Sequence, residues 1–591
     1  MGGAASALAA APAAAWAGGL APAWPPAAAW LLLAAALVWE ASKWRVTLAR
    51  LLCSRRMPGP PAPSFALGHI PTLLGARGRT FELFHGWARA YGPVYSMRFL
   101  WNAVVVVSDP DLFGPLLRPG RAHLEKHLVP YRRLECLIHP PTPSMLTRPE
   151  DATWRLVRRG VAPAFQTANL RSAFPAIAAA IGRSVDALEG CAGRALEFDD
   201  LAQRTTIDVI GAFGFGRDFG AAQAGSKVEA LEAVRRLTEA MQEMNNPLNR
   251  WLPWRQAPRD LRHWGRRLHR VVDELLTDME ADPPPPYTLA AHVLAIRDDK
   301  GRPLPRHLKI SELALLWGAG FETTAHSLTW ALFLIATHPA VEAALLEELG
   351  DLAAGPGRTQ PRPLAWGDLG RLRRLSAVIQ EAMRLYPAVS TGTARITDGP
   401  LTLGGHTLCG GMPVLIPTWA THRSPQLWLR PDEFLPFERW LGGDSSGGGG
   451  GGEPALIDRE QPDFRESGGG GGEAGSGSKA GGTRPGSRSS AGGGAAGVWG
   501  SPALAQPSAF LAFSQGTRSC VGQGLAVAEL KAALALLLGR FAFELAPGVD
   551  AAAVAASAAQ AITLRPRDGL WLVPRLRCEL PGGRLPPQGC A

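Results

Sequence analysis

The longest strongly apolar helical pattern in the chain runs from Lys309 to Thr337 and is ended by His338-Pro339. A second apolar helix is expected from about Leu525 to Leu538. Ahead of these, a helical pattern from Phe81 to Tyr91 leads into two β-rich runs, Val94–Arg98 and Ala103–Val107. With Trp101-Asn102 between them, those runs predict a hairpin. Asp109-Pro110 then starts another helix, as a capping residue followed by an N1 proline. Residues 220–290 pattern as amphipathic helices broken at Pro283–Pro286, and Phe541–Leu545 and Leu570–Val573 pattern as terminal strands.

The ends and one internal stretch behave differently. Residues Met1–Trp39 contain no charged side chain, and Lys43, Arg45, Arg50, Arg55 and Arg56 follow. The apolar run Ala27–Trp39 is short for a span, but extension back through Pro22, Pro25 and Pro26 supplies the length. The basic cluster then places the C-terminal side in the cytosol. Residues 1–57 are therefore expected to form an uncleaved membrane anchor with a basic segment, followed by a stiff proline hinge, Met57–Pro63. No positive n-region precedes the apolar run, which argues against a cleaved signal peptide. Residues 443–500 are Gly/Ser-rich, with glycine runs at 447–452 and 468–472. Such a composition cannot bury enough apolar surface to fold, so a disordered insertion is expected there. The remainder, 58–591, is expected to be one catalytic domain.

Composition narrows the class only slightly. The 591 residues include seven cysteines with no C-x-x-C, which argues against a disulfide framework and suits a reducing compartment. The net charge of +10 is largely arginine, and no basic run with interleaved aromatics suggests nucleic acid.

The chemistry gathers around Phe513-Ser514-Gln515-Gly516-Thr517-Arg518-Ser519-Cys520-Val521-Gly522, a loop opening into the second apolar helix. A cysteine at a helix N-terminus meets unpaired N–H groups and the positive end of the dipole, which favour the thiolate. Arg518 adds a fixed cation for the thiolate or for an anionic cofactor group, and Gly516 and Gly522 permit tight turns. Cys520 is thus a candidate soft metal ligand, with haem iron one option. Within the long helix lies Ala319-Gly320-Phe321-Glu322-Thr323-Thr324. Gly320 there clears room for a flat macrocycle, and a threonine bonding one turn back makes a polar niche where water relays protons. Trp154 and Arg158 share a helix face. Glu381 and Arg384, at i and i+3, read by themselves as an ordinary surface pair. His326 and His338 have no partner at metal-ligand spacing and are assigned to packing.

F-x-x-G-x-R-x-C-x-G resembles the haem-binding loop of the cytochrome P450 superfamily. A-G-x-[DE]-T, E-x-x-R and W-x-x-x-R follow that family's order, and the resemblance covers roughly residues 58–591 apart from the insertion. It implies a mainly α (α+β) cytochrome P450 fold, with haem between the central helix and the Cys520 loop and with small β-sheets. It implies haem b (iron protoporphyrin IX), held by Cys520 as axial ligand with Phe513, Gly516 and Arg518 in the loop. Trp154, Arg158 and Arg395 (in Thr393-Ala394-Arg395) would meet the propionates. Thr323 and Glu322 would handle protons over the distal face, and Glu381, Arg384 and Arg439 would form a structural ion-pair network. With Ala319 before Gly320, no covalent haem link is expected. The implied activity is monooxygenation of a hydrophobic lipid, sterol or isoprenoid substrate. Electrons would come from NADPH through a reductase, or from ferredoxin if the enzyme is plastidial. The expected location is the endoplasmic reticulum membrane with a cytosolic catalytic domain, the plastid being the alternative. Two rivals are a haem-thiolate isomerase or dehydratase that does not use O2, and a non-catalytic haem sensor. Glu322-Thr323 argues against the first.

Overall fold

Helix α7 (Arg306–Ala336) is the axis on which the other elements are laid. From Ile310 to Ile335 every residue is buried except Gly318, Ala319, Gly320 and Thr323. A helix apolar on all sides must be covered on all sides. The computed structural model describes residues 44–117, 124–223, 228–244, 249, 252–350, 352, 363–441 and 507–577. The expected anchor within residues 1–39 and the expected insertion at 443–500 lie outside them.

Around α7 pack α4 (Phe198–Ile210), α6 (Gln256–Ala281), α8 (Arg373–Leu385) and α10 (Gln523–Arg540), with the short α9 (Pro436–Trp440) against α8. On the outside stand α2 (Ala152–Val161), α3 (Thr167–Glu189) and α5 (Glu229–Glu243), while α1 (Thr80–Tyr91) lies against the main sheet. One continuous apolar core joins these helices, from Phe81 to Leu572. Helix starts follow local chemistry: Asp151 accepts from the Trp154 N–H to cap α2, and Glu197 accepts from Asp199 and Asp200 to cap α4.

The main sheet has five strands in the order β1-β2-β6-β5-β3: β1 (Val94–Phe99), β2 (Asn102–Val107), β3 (Glu125–Lys126), β5 (Thr393–Ile396) and β6 (Pro413–Ile416). The β1–β2 hairpin turns at Leu100-Trp101, and β2 pairs in parallel with β6. Strand β3 pairs antiparallel with β5, placing Lys126 opposite Arg395. A smaller sheet joins β4 (Leu196–Glu197) and β7 (Phe541–Leu545) to opposite edges of β9 (Trp571–Leu576). Strand β8 (Leu564–Pro566) pairs with Ala558–Gln560. The architecture is mainly helical with small sheets.

Two sequence expectations change. The proline segment after Met57 is laid against β1, with the Ser96 N–H donating to Pro58 O at 2.9 Å and Gly59 seated over the Ser96 carbonyl. Cys53 and Cys409 form a disulfide across 356 residues, a pairing that no spacing in the sequence indicates. Folding of the N-terminal segment onto the sheet brings them together. Residues 44–54 are helical and leave Trp44, Val46, Leu48 and Leu52 exposed. Among the described residues no single helix is long and apolar enough to cross a membrane.

Candidate functional site

The Cys520 loop is shaped by backbone constraints. Gly516 has φ +77°, and a Cβ there would overlap the Leu117 carbonyl, so no other residue fits. The Cys520 N–H donates to Phe513 O at 2.9 Å, closing the loop just ahead of α10. Gly522 lies in the turn that leads into α10 as its N-cap residue, with φ −88°, and its N–H favours the Cys520 thiolate. Cys520 keeps accessible surface although it lies deep within the protein mass. Burial pushes its thiol up, against the Gly522 N–H and the Arg158 charge, which pull it down. The cation acting on the sulfur is therefore Arg158 and not Arg518. A bound metal cation would add a far larger pull toward the thiolate.

Arg518 faces the other way. Its Nε meets Glu150 Oε1 at 2.9 Å, and its Nη groups donate to Met145 O and Arg148 O. The guanidinium stacks 4.2 Å from the Trp154 ring centroid. Trp154 itself donates from Nε1 to Met145 O at 3.1 Å, and Arg158 donates to Ser519 O at 2.9 Å while its Nε finds no partner. Arg395 has no exposed surface; one nitrogen reaches Thr393 Oγ1 at 2.9 Å, and Nε and Nη2 find no partner.

Lys126 joins this group and was not foreseen, because a lone lysine in a two-residue strand leaves no pattern. It is buried directly opposite Arg395, its Nζ 3.0 Å from Leu146 O and 3.6 Å from the Tyr131 ring centroid. Burial, then Arg518 and Arg395, hold it well below the usual lysine range. Like charges directly opposite on paired strands repel. Here four cations, Lys126, Arg158, Arg395 and Arg518, gather about Glu150. Buried positive charge with unmatched N–H donors calls for an anionic partner.

On α7 the four less-buried residues form one turn. Ala319 is exposed, Thr323 Oγ1 donates to Ala319 O at 2.8 Å, and the helix continues unbroken. The glycine beside it has another task than the one expected: a Cβ on Gly320 would fall 2.9 Å from Ile210 Cδ1 of α4. Gly320 thus admits the neighbouring helix, and it is Ala319 that presents the open surface. Glu322 is turned to Thr563, whose hydroxyl donates to it at 2.9 Å.

Below α8 the picture is one of saturation. Glu381 Oε1 accepts from Arg384 (2.9 Å), Arg439 (3.0 Å) and the Leu435 N–H (3.1 Å); Oε2 accepts from Arg384 (2.8 Å) and Trp440 (2.9 Å). Within the Phe434–Trp440 stretch it is Arg439 that stands in register with Glu381. His422 accepts from the Leu511 N–H at Nε2 and lies 3.1 Å from Arg384 O at Nδ1, tying the loop ahead of Cys520 to α8. Burial, reinforced by Arg384, drives its pKa down to about 3, so the ring is neutral.

Among the described residues no three His, Cys, Asp or Glu side chains could hold a metal ion. A cofactor that brings its own ligands to the metal suits a lone Cys520 sulfur. A macrocycle carrying carboxylates fits both this lone sulfur and the unmatched guanidinium N–H groups of Arg158 and Arg395.

A cytochrome P450 family model matches residues 58–448 and 499–572. Cytochrome P450 97B2, chloroplastic, of Glycine max is 27% identical over 555 residues, covering 87% of this chain and 86% of the relative. Protein LUTEIN DEFICIENT 5, chloroplastic, of Arabidopsis thaliana is 25% identical over 495 residues, 79% of this chain and 69% of its own. Cytochrome P450 monooxygenase nodW of Hypoxylon pulicicidum is 27% identical over 362 residues, 60% of this chain and 54% of its own.

Proposed function

The chain belongs to the cytochrome P450 family, whose haem enzymes incorporate oxygen from O2, and from that premise we propose a monooxygenase of hydrophobic isoprenoid or other lipid substrates. The observation that carries this reading is the cation group about Glu150 beside an accessible thiol at the start of α10. Cys520 would be the axial ligand, and Arg158, Arg395 and Lys126 would receive the propionates. Trp154 and Arg518 would brace that group through the Met145 and Arg148 carbonyls. Bound there, haem supplies the redox centre for transfer of one oxygen atom to the substrate. Thr323 holds a hydroxyl at the accessible turn of α7, and Glu322 is the neighbouring acid through which protons reach it. Glu381, Arg384 and Arg439 anchor the proximal side.

Electrons would come from NADPH through a reductase at a membrane surface, with the exposed Trp44, Val46, Leu48 and Leu52 meeting lipid. A second reading, a plastid enzyme reduced by ferredoxin, is favoured by the relatives named chloroplastic. The test is incubation of the haem-loaded protein with each donor, ¹⁸O2 and a panel of carotenoids, sterols and fatty acids. The expected result is a product heavier by one ¹⁸O atom with one donor and one substrate class. In Cys520→Ala the thiolate-type absorption of the reduced CO complex should vanish. Survival of that absorption in the variant would remove Cys520 from its role.

A further inference from the structure

Helix α6 carries its charge the wrong way round for its own dipole. Its first turn holds no acid and its last turn no base. From Arg255 to Arg270 there are six arginines, with Asp260 the one acid; from Val271 to Asp282 there are five acids and no lysine or arginine. Cations at a helix N-terminus and anions at its C-terminus both oppose the macrodipole. A helix charged for stability alone would be laid out in the opposite sense.

The two halves differ again in how they are matched. In the acidic half Asp273 and Glu280 hold Arg306 and Lys309 of α7 at 2.7–2.9 Å. In the basic half Arg267 meets Glu229 of α5, and Asp260 is taken up by Gln256. Arg262 donates to Pro253 O, and among the described residues Arg255, Arg259, Arg262, Arg266 and Arg270 are paired with no carboxylate. Abundance of arginine does not explain this. On the neighbouring α5, Arg236 sits between Glu232 and Glu239, and Arg235 meets Asp200.

Spacing puts the unmatched charges on one line. Positions 255, 259, 262, 266 and 270 follow i, i+4, i+7, i+11 and i+15, a single stripe about 22 Å long on a helix. The opposite face, with Leu261, Leu268 and Val272, is buried in the core, and Arg255, Arg259, Arg266 and Arg270 are exposed. His139 borders the stripe. Burial, then Arg266, Arg262 and His269, push its ring below the ordinary pKa, so each neighbour acting on it is basic. At the head of the stripe Trp254 is 62% exposed.

Unpaired charge of one sign on an outward face draws anions, and a guanidinium row grips phosphate bidentately. Trp254 favours lipid over an acidic protein. A large amphipathic ring standing in water beside a basic stripe is the arrangement of helices that lie in the headgroup layer. We propose that this face of α6 docks on a membrane surface containing anionic phospholipid. Headgroup phosphates would lie against Arg255, Arg259, Arg262 and Arg266, with Trp254 at headgroup level. Such docking needs neither haem chemistry nor substrate, and it differs from lipid contact through Trp44, Val46, Leu48 and Leu52 in selecting lipid by charge.

The test uses the haem-loaded full chain in vesicles of phosphatidylcholine, alone or mixed roughly 2:1 with phosphatidylserine. The N-terminal segment can hold the chain on either membrane, so the readout is local. The exposed His263 is replaced by photo-crosslinking p-benzoylphenylalanine, and adducts are identified by mass. Phospholipid adducts should be about tenfold more abundant on the mixed vesicles and should fall to the phosphatidylcholine level at about 0.5 M salt. The same loss is expected when Arg255→Gln, Arg259→Gln, Arg262→Gln and Arg266→Gln are combined, and the Arg→Lys counterpart should restore adducts to within about threefold. Removing cations from a helix N-terminus relieves the dipole, so the glutamine variant should keep its haem absorption and a Tm at or above that of the unaltered chain. Were that variant to unfold, the lipid and salt arms, which need only the His263 substitution, decide alone. Equal adducts on the two vesicles, adducts to a second copy of the chain in place of lipid, or no adducts would each overturn the assignment.

Discussion

Two buried clusters of charge, one around Glu381 and one around Glu150, are built to opposite specifications. Around Glu381 two arginines surround one carboxylate, yet neither leaves a buried nitrogen unmatched: Arg384 donates to Glu381 and to the carbonyls of His422, Pro431 and Glu433, and Arg439 to Glu381 and Arg430 O. Around Glu150 the excess of cations is larger and N–H groups of Arg158 and Arg395 are left without partners. Satisfied burial holds a fold together, whereas unsatisfied burial marks a place where a ligand completes the structure. The contrast supports, without recourse to any motif, the proposal of an architectural role for the first cluster and a binding role for the second.

The largest expected effect comes from breaking the saturated cluster. Glu381→Ala leaves Arg384 and Arg439 buried without their anion and should cost about 3–5 kcal/mol, enough to abolish soluble folded protein at 37 °C. The check is thermal unfolding of apo and haem-loaded protein; a variant with unchanged Tm would erase the distinction between the clusters.

Arg395→Met should act in the opposite manner. It relieves the repulsion with Lys126, so the apo protein should be as stable as before or more so. Haem retention should weaken by roughly 10- to 100-fold, the worth of one charge-assisted hydrogen bond. Competition for haem by apomyoglobin measures this, and equal retention would remove Arg395 from the propionate site.

The smallest effect sharpens the comparison through pH. Glu312 on α7 accepts the Met145 N–H with both oxygens and so anchors the loop whose carbonyls hold Arg518 and Trp154. Burial raises its pKa to about 7. The folded state therefore binds this proton more tightly than the unfolded chain does, and stability should fall as pH rises from about 4.5 to about 7, then level off. Glu312→Gln should abolish that part of the pH dependence of Tm. A parallel Tm profile in the variant would contradict the assignment. Glu381, whose pKa is lowered because Arg384 and Arg439 outweigh burial, weakens only at acid pH. The cluster about Glu150 thus hangs on a loop sensitive near neutrality, and the cluster about Glu381 does not.

Much of the fold was legible because its signals are local. The β1–β2 hairpin, the Asp109 cap, α7, α8 and α10 each follow from periodicity and turn chemistry within a single stretch. The loop at Cys520 was legible for the same reason, since Gly516 and the helix start that follows it are written in adjacent residues. Lys126 was not, because its meaning depends on pairing with Arg395, far along the chain. Gly320 was misjudged because only packing shows which side of a helix a missing Cβ serves. The Cys53–Cys409 bond, the reversal of Arg518 toward Glu150 and the Thr563–Glu322 hydrogen bond were likewise invisible. Each joins segments more than a hundred residues apart.

By itself the sequence determined which residue types sit at which helix starts, turns and faces, because those preferences act over a few residues. Hence it determined the candidate ligand Cys520, the Glu322–Thr323 pair and the Glu381–Arg384 pair. Only the tertiary structure decided which charges are matched and which are left wanting. Satisfaction of a buried group depends on every element packed around it, and no stretch of chain carries that information alone.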